Sequence, residues 1–338
     1  MKNKIIIIAE AGINHNGKVK QAKKLIDAAK SSGADIIKFQ IYKTELLIEK
    51  NAIKKKLKKY ARIKKMFKFL KKFELSFNDF KELKKYSVKK KIIFAATPFD
   101  KNSVDELVKL KVPFFKVSSG DINNFSLISH IVTKKKPIVI STGRSNLEEV
   151  KKTVYFLKQK GCKNFTLLHC VSTYPAKLED LNLNAIKFLK RKFKCKIGFS
   201  DHSKGIEAAL GAVVLGAEYI EKHLTLNTND KGPDHKASIE PNEFKKMVQG
   251  IRNLEIALGK EKKKATKQEI KGKFSSRRSI FANKNLLKNS IINKKDIICK
   301  RPMIGISPEN FEKIIGCKIK KNIKKGEAIT FQFIKKIN

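Results

Sequence analysis

Short runs rich in β-branched residues alternate with helical patterns almost from the first residue to about residue 258. The runs are IIIIAE, DIIKFQI, KIIFAAT, FFKVSS, PIVIST, FTLLHC, KIGFSD and EYIEKHL. Between them lie segments such as VKQAKKLIDAAKSSG, SVDELVKLK, NLEEVKKTVYFLKQKG and GIEAALGAVVLGA, whose apolar residues recur at helical spacing. No run shows the strict apolar/polar alternation of a half-exposed sheet. Strands buried on both faces are parallel strands covered by helices. Eight such units over this length predict a closed (β/α)8 barrel of the TIM type. A doubly wound open sheet is the alternative. It would call for a glycine-rich phosphate loop, G-x-G-x-x-G, and the chain has none. The connection over residues 42–90 is long and Lys-rich and is expected to carry an extra element.

The rhythm changes after the barrel. Residues 1–258 are assigned to the barrel, and 259–276, GKEKKKATKQEIKGKFSS, read as a charged linker. Residues 277–338 carry short segments punctuated by ANKN, KNS, NKKD and KKGE. They predict a small β-rich domain, marginal alone at this size.

Composition narrows the function classes. A formal charge of +46 suggests nucleic acid, but only seven of the 77 cations are Arg, and they are scattered. Nucleic-acid readers rely on Arg forks and on aromatics interleaved on one surface. The charge is read instead as a field that attracts small anions. No apolar run approaches the ~20 residues of a membrane helix. MKNKIIIIAEAG is too short in its apolar part for a signal peptide, and Glu10 interrupts it, so it reads as a buried first strand. Five cysteines without a C-x-x-C argue against a disulfide framework or zinc ribbon. The chain is expected to be cytoplasmic, with no nucleic-acid or membrane partner.

In a barrel the C-terminal strand ends share one mouth, where the chemistry sits. Polar residues collect there. Strand 1 ends in Glu10, and strand 2 carries Lys38 and Gln40 on one face. Strand 3 ends TPFD with Thr97, and strand 4 carries Lys116, then Ser119 and Asp121. Strand 5 ends in Ser141, and strand 6 leads into VSTYP with Tyr174. Strand 7 ends in Ser200, Asp201 and His202, and strand 8 ends in His223 before GPDHKAS with Asp234. Five of six histidines (His15, His169, His202, His223, His235) fall at or just past strand ends, and His130 sits in a helix. Strands 7 and 8 are neighbours, and strand 8 closes against strand 1. His202, His223 and Glu10 therefore meet at one rim, either as a divalent-metal site with open positions or as hydrogen-bonded structural groups. Lys38 and Lys116 point inward and need counter-charges: a bound phosphate or carboxylate, or an internal pair with Glu10 or Asp121. These residues describe a barrel enzyme for a small anionic substrate, with a candidate metal site.

The ordered series AEAGINHNG, IKFQ, TPFD, KVSSGD, STG, HCVSTYP, SDHS, EKHLTL, GPDHKAS, RRSI and KRPMIGIS resembles the sialic acid synthases over nearly the full length. The small C-terminal unit resembles their antifreeze-like (SAF, β-clip) domain. The resemblance implies a transferase that condenses phosphoenolpyruvate with an N-acetylated sugar aldehyde. It implies phosphoenolpyruvate contacts from Lys38, Thr97, Lys116, Ser119, Ser141 and Ser200, and a Mn²⁺ or Mg²⁺ ion on His202 and His223. Glu10 would handle the proton of the attacking water, with Asp121 a second acid/base candidate. Gln40, Tyr174 and Asp234 would meet the sugar. Arg277, or alternatively Arg278, would reach the sugar of a partner subunit, making a homodimer part of the site. Three residues depart from the family pattern. Asp121 stands where some members have Glu, Arg144 where an apolar residue is expected, and Ser172 where some have Asn. The HCVSTYP loop is read as the N-acetylmannosamine-using, N-acetylneuraminate branch. The alternative is a dideoxy-diacetamido hexose leading to legionaminic or pseudaminic acid. A barrel that only binds its ligand fits poorly with Glu10, Lys38, Lys116, His202 and His223 all present.

Overall fold

The eight expected strands all form. They are β1 (Ile6–Gly12), β2 (Ile36–Ile41), β3 (Ile93–Pro98), β4 (Phe115–Val117), β5 (Ile138–Ser141), β6 (Phe165–Cys170), β7 (Lys196–Asp201) and β8 (Tyr219–His223). The computed structural model describes residues 4–49 and 59–336. The strands pair in parallel in the order β3-β2-β1-β8-β7-β6-β5-β4, and β3 approaches β4 across the remaining seam. The sheet thus curls into a nearly closed barrel, and β8 does close against β1, with Glu10 opposite His223.

Helices cover the outside: α1 (Val19–Ser31), α4 (Phe77–Lys89), α5 (Lys101–Lys109), α6 (Phe125–Thr133), α7 (Leu147–Gln159), α8 (Ala185–Phe193), α9 (Glu207–Val214) and α10 (Pro241–Ala257). The long second connection adds α2 (Thr44–Leu47) and α3 (Lys59–Phe73) before α4. Local chemistry sets several starts. Asp100 of TPFD accepts the Ser103 amide at 2.7 Å and caps α5. Asn146 and Glu149 make a reciprocal capping box on α7.

The period of the strands sorts side chains into two cores. Residues of one parity face the helices, where Ile7, Ile37, Phe94, Phe115, Leu167 and Phe199 pack against the helix faces. Those of the other parity fill the barrel. Its floor is apolar, with Ile8, Ile36, Ala95, Phe114, Val139 and Leu168 in one cluster. One residue pair further along, the same faces carry Glu10, Lys38, Thr97, Lys116, Ser141, Ser200 and Glu221, all buried. A dry floor beneath a charged layer opening at the C-terminal strand ends is what places the site.

The chain divides into two compact units, Met1–Gly259 and Lys260–Asn338. In the second, the segment read as a linker carries a helix, α11 (Lys267–Ser276), started by a Thr266–Glu269 capping box. Beyond it, β9 (Ser279–Ala282) pairs antiparallel with β10 (Ile297–Lys300), and β11 (Lys318–Ile319) with β12 (Ile334–Lys335). An isoleucine-rich core of its own includes Ile280, Ile292, Ile306, Ile319, Ile323 and Ile329. No helix among the described residues is long and apolar enough to cross a membrane.

Candidate active site

A cavity of about 240 Å³ opens at the C-terminal strand ends. Glu10, Lys38, Gln40, Thr97, Lys116, Ser119, Ser141, Tyr174, Ser200, His202 and His223 all line it. A larger hollow of about 480 Å³ lies at the N-terminal strand ends. Its charged groups are already engaged, Lys190 with Glu218 at 3.0 Å and Lys4 with Asp35 at 2.5 Å, so it lacks convergent free polar groups.

The deep end of the mouth is a charge cluster. Lys38 Nζ lies 2.5 Å from Glu10 Oε2 and 3.5 Å from Glu221 Oε2, and it donates to Thr97 Oγ1 at 3.0 Å. Lys116 Nζ donates to Ser141 Oγ at 2.6 Å and to the Val117 carbonyl at 3.1 Å. Its nearest carboxylate is Glu221 Oε1, 3.9 Å away. Ser200 donates to Glu221 Oε1 at 2.8 Å. Glu221 is therefore the shared counter-charge of both lysines, and sequence reasoning missed it. Its signal was present: it stands two residues before His223 and so on the same inward face.

Electrostatics separate these groups. Burial pushes the Glu10 carboxyl up to about 7, against the pull of Lys38. Burial also acts on Glu221, but the Lys116 and Lys38 ammonium groups and the Ser200 hydroxyl outweigh it and hold that carboxyl below the usual range. Burial opposes the charge on Lys38, yet Glu10 and Glu221 raise it on balance. Lys116, with no carboxylate as close, is lowered by burial. The layer thus holds one firmly ionised carboxylate, one poised near neutrality and two cations.

The rim carries two neutral imidazoles. Burial lowers His202, and burial together with its neighbour His202 lowers His223 further. Their ring centroids are 5.4 Å apart. His202 Nδ1 donates to the Val171 carbonyl at 2.9 Å, which leaves Nε2 as an acceptor for the Tyr174 hydroxyl at 3.2 Å. His223 Nδ1 is buried with no hydrogen-bond partner among the described residues, and Asp234 Oδ2 stands 3.8 Å away. Two ring nitrogens with available lone pairs fit a divalent ion. Among the described residues no group of three or more His, Cys, Asp or Glu gathers as a metal cage. Glu10, expected to complete the rim, turns instead to Lys38.

Gly12 shapes the rim above. Its φ is +50°, and it lies at a bulge where β1 slips register against β2. A Cβ there would meet Asp234 Oδ2 at 3.1 Å, Glu10 Oε1 at 3.4 Å and Gln40 Nε2 at 3.5 Å. Asp234 is thereby brought beside Gln40 and Glu10, and burial raises its carboxyl to about 6.

Another expectation is corrected. Asp121 does not line the cavity. β4 ends at Val117, and the turn after it carries Asp121 aside, where its carboxylate accepts the Ser118 hydroxyl at 2.7 Å and the Asn124 amide at 3.1 Å. Nor does Asp121 pair with Lys116. His169 ends β6 on the outward parity and donates to the Leu181 carbonyl at 2.7 Å. His235 is bonded to Thr225 and Asn16, and buried His15 accepts the Gly17 amide at 3.0 Å. Helical His130 contacts Asp105 on the surface. Asp201 and Lys222 form a fully buried ion pair at 2.7 Å behind the barrel wall. In the second unit, Arg277 is exposed and its guanidinium makes no hydrogen bond or ion pair among the described residues, whereas Arg278 donates to the Cys299 carbonyl at 3.4 Å.

Comparison with known proteins adds to this geometry. The model described as NeuB family matches residues 25–263, and that of the SAF domain matches residues 277–335. The chain is 43% identical to the N,N'-diacetyllegionaminic acid synthase of Campylobacter jejuni, over 96% of this chain and 99% of that one. It is 33% identical to the N-acetylneuraminate-9-phosphate synthase of Homo sapiens, over 97% and 92%. The crystal structure of an N-acetylneuraminic acid (sialic acid) synthetase from Leptospira borgpetersenii superposes with a TM-score of 0.73 at 38% identity, covering 80% of this chain and 90% of that one.

Proposed function

The chain belongs to the NeuB family and carries a SAF domain, and from that premise we propose that it condenses phosphoenolpyruvate with an open-chain N-acetylated amino sugar. The observation that carries this reading is the layer of Lys38 and Lys116 with the hydroxyls of Thr97, Ser141 and Ser200 beneath two neutral imidazoles. Such a layer suits a small, highly charged anion at the bottom of a mouth, with a neutral polyol above it.

In the proposed reaction, C3 of phosphoenolpyruvate forms a bond to the aldehyde carbon. Water adds at C2, and phosphate leaves with cleavage of its C–O bond, so the products are a nonulosonic acid and phosphate. Lys38, Lys116, Thr97, Ser119, Ser141 and Ser200 would hold the enol phosphate. Binding of that anion would compete with Glu10 and Glu221 for the two ammonium groups. Glu10, poised near neutrality, is suited to take a proton from the added water. Gln40, Asp234 and Tyr174 would hydrogen-bond the sugar hydroxyls. His202, through Nε2, and His223 would hold a divalent ion, Mn²⁺ or Mg²⁺, with water and substrate at its other positions. When bound, that ion supplies Lewis acidity at an oxygen of the sugar aldehyde.

For the sugar, the comparison supports a dideoxy-diacetamido hexose, the substrate class of the legionaminic branch, over N-acetylmannosamine. Identity is 43% to the legionaminic acid synthase and 33% to the human N-acetylneuraminate-9-phosphate synthase. The reading of HCVSTYP as the sialic acid branch gives way to that. The Leptospira likeness keeps N-acetylmannosamine as the second sugar to test. We further propose a cytoplasmic homodimer in which Arg277 of one chain reaches the sugar on its partner. The exposed, unengaged Arg277 side chain supports it over Arg278. Phosphate release measured with each sugar in turn tests the reaction, and no release with any of them overturns it.

A further inference from the structure

We propose that Arg144 is a phosphate ligand of this site. The inference rests on the proposed use of phosphoenolpyruvate and extends it.

Among the described residues, the lysine and arginine side chains lining the cavity are Lys38, Lys116 and Arg144. The two lysines already face two carboxylates, Glu10 and Glu221, at 2.5 to 3.9 Å. An enol phosphate brings a carboxylate as well as a phosphate whose charge approaches about −2 near neutral pH. The buried layer alone cannot neutralise both. Among the described residues, Arg144 is the one cation of the lining without a carboxylate partner. Its guanidinium has one contact among the described residues, the Ser172 carbonyl at a long 3.5 Å, so most of its five donors are free.

Its backbone is unusual too. Arg144 has φ +59°, the left-handed region that an L side chain enters at a cost. Of the described non-glycine residues with positive φ, it is the only one lining the cavity. The preceding residue explains how the loop is held. A Cβ on Gly143 would meet Ser172 Oγ at 2.2 Å, Cys170 Sγ at 2.6 Å and Ser119 Oγ at 2.9 Å. The Gly143 amide also donates to Ser119 Oγ at 3.1 Å. The loop is thus pressed onto a cluster of hydroxyls that includes Ser119 and Ser172, with the guanidinium at its lip. A planar fork over hydroxyl and amide donors is a phosphate-binding arrangement. The guanidinium would move from the Ser172 carbonyl to the phosphate oxygens when the anion enters.

The test uses the full-length protein with Mn²⁺ and the variants Arg144→Met and Arg144→Lys. Calorimetric titrations with phosphoenolpyruvate and with inorganic phosphate are paired with KM for each substrate. Loss of a charge-assisted bond predicts that Arg144→Met weakens both anions by about 10- to 100-fold. Arg144→Lys should recover part of that loss, and the sugar KM should stay within about twofold, well below the anion effect. Arg144 is exposed, so the thermal melt of either variant should match wild type. Unchanged anion affinity overturns the assignment. So does a raised sugar KM with phosphoenolpyruvate unaffected, which would put Arg144 on the sugar. If the wild type binds both anions but releases no phosphate with any sugar, the proposed reaction fails while the titration still decides Arg144. If it binds neither anion, both fail.

Discussion

The Asp201–Lys222 pair allows a stability prediction worked directly from its geometry. Both side chains are fully buried, and the ammonium lies 2.7 Å from Asp201 Oδ2. Lys222 also donates to the Ser203 carbonyl at 2.6 Å, while Asp201 Oδ1 accepts both the amide and the hydroxyl of Ser203. Removing one partner strands a buried charge, which costs about 3–5 kcal/mol. Asp201→Leu leaves the ammonium only the Ser203 carbonyl and belongs at the upper end. Lys222→Met leaves the carboxylate its two Ser203 donors and belongs at the lower end, about 3 kcal/mol. With both charges gone, no unpaired ion remains, and the double variant should cost no more than about 2 kcal/mol. The predicted coupling is about 6 kcal/mol, measurable by urea unfolding followed by circular dichroism. The pair sits beside inward-facing Ser200 and His202 at the end of β7 and Glu221 and His223 on β8, so the single variants should also lose turnover. A double variant whose cost equals the sum of the singles within about 0.5 kcal/mol would refute the reasoning.

Other predictions concern the mouth itself. Gly12→Ala puts a methyl 3.1 Å from Asp234 Oδ2 at φ +50°. It should cost about 1–2 kcal/mol of stability and raise the sugar KM more than that of phosphoenolpyruvate, and equal effects on both would contradict placing the sugar there. Glu10 must be ionised to accept a proton, so kcat/KM should rise with pH through about 7, and Glu10→Gln should lose that limb. Its folded pKa lies above the carboxyl's ordinary value of about 4.5. The native state therefore holds that proton more tightly, and stability falls as pH rises from about 4.5 to about 7. A rate profile that is flat across neutrality in the wild type would count against Glu10. His202→Ala should lose metal-dependent turnover. Mixed dimers of it with Arg277→Ala should recover part, and no recovery would count against the shared site.

Much of this was legible before any coordinates. Two periods, 2 for strands and 3.6 for helices, gave all eight strands and placed polar residues at one end. Chain order then put His223 beside Glu10, which the register bears out. What failed did so for local reasons. Glu221 hid inside EKHLTL because a Glu flanked by Lys reads as surface, although its parity with His223 marks it as inward. Asp121 lies close to Lys116 in sequence, but a three-residue strand followed by a tight turn carries it out of the mouth. His169 stands at a strand end on the wrong parity. The helix within the charged segment was announced by Thr266 and Glu269, but a dense run of lysines masked that cap.

The most direct test is a single assay of the full-length protein with Mn²⁺ and phosphoenolpyruvate. A dideoxy-diacetamido hexose and N-acetylmannosamine are supplied in separate reactions, and inorganic phosphate and nonulosonic acid are measured together. The predicted result is equal amounts of the two products, with the diacetamido sugar turned over faster. Absence of both products with every sugar would contradict the assignment of this barrel as a phosphoenolpyruvate-condensing synthase.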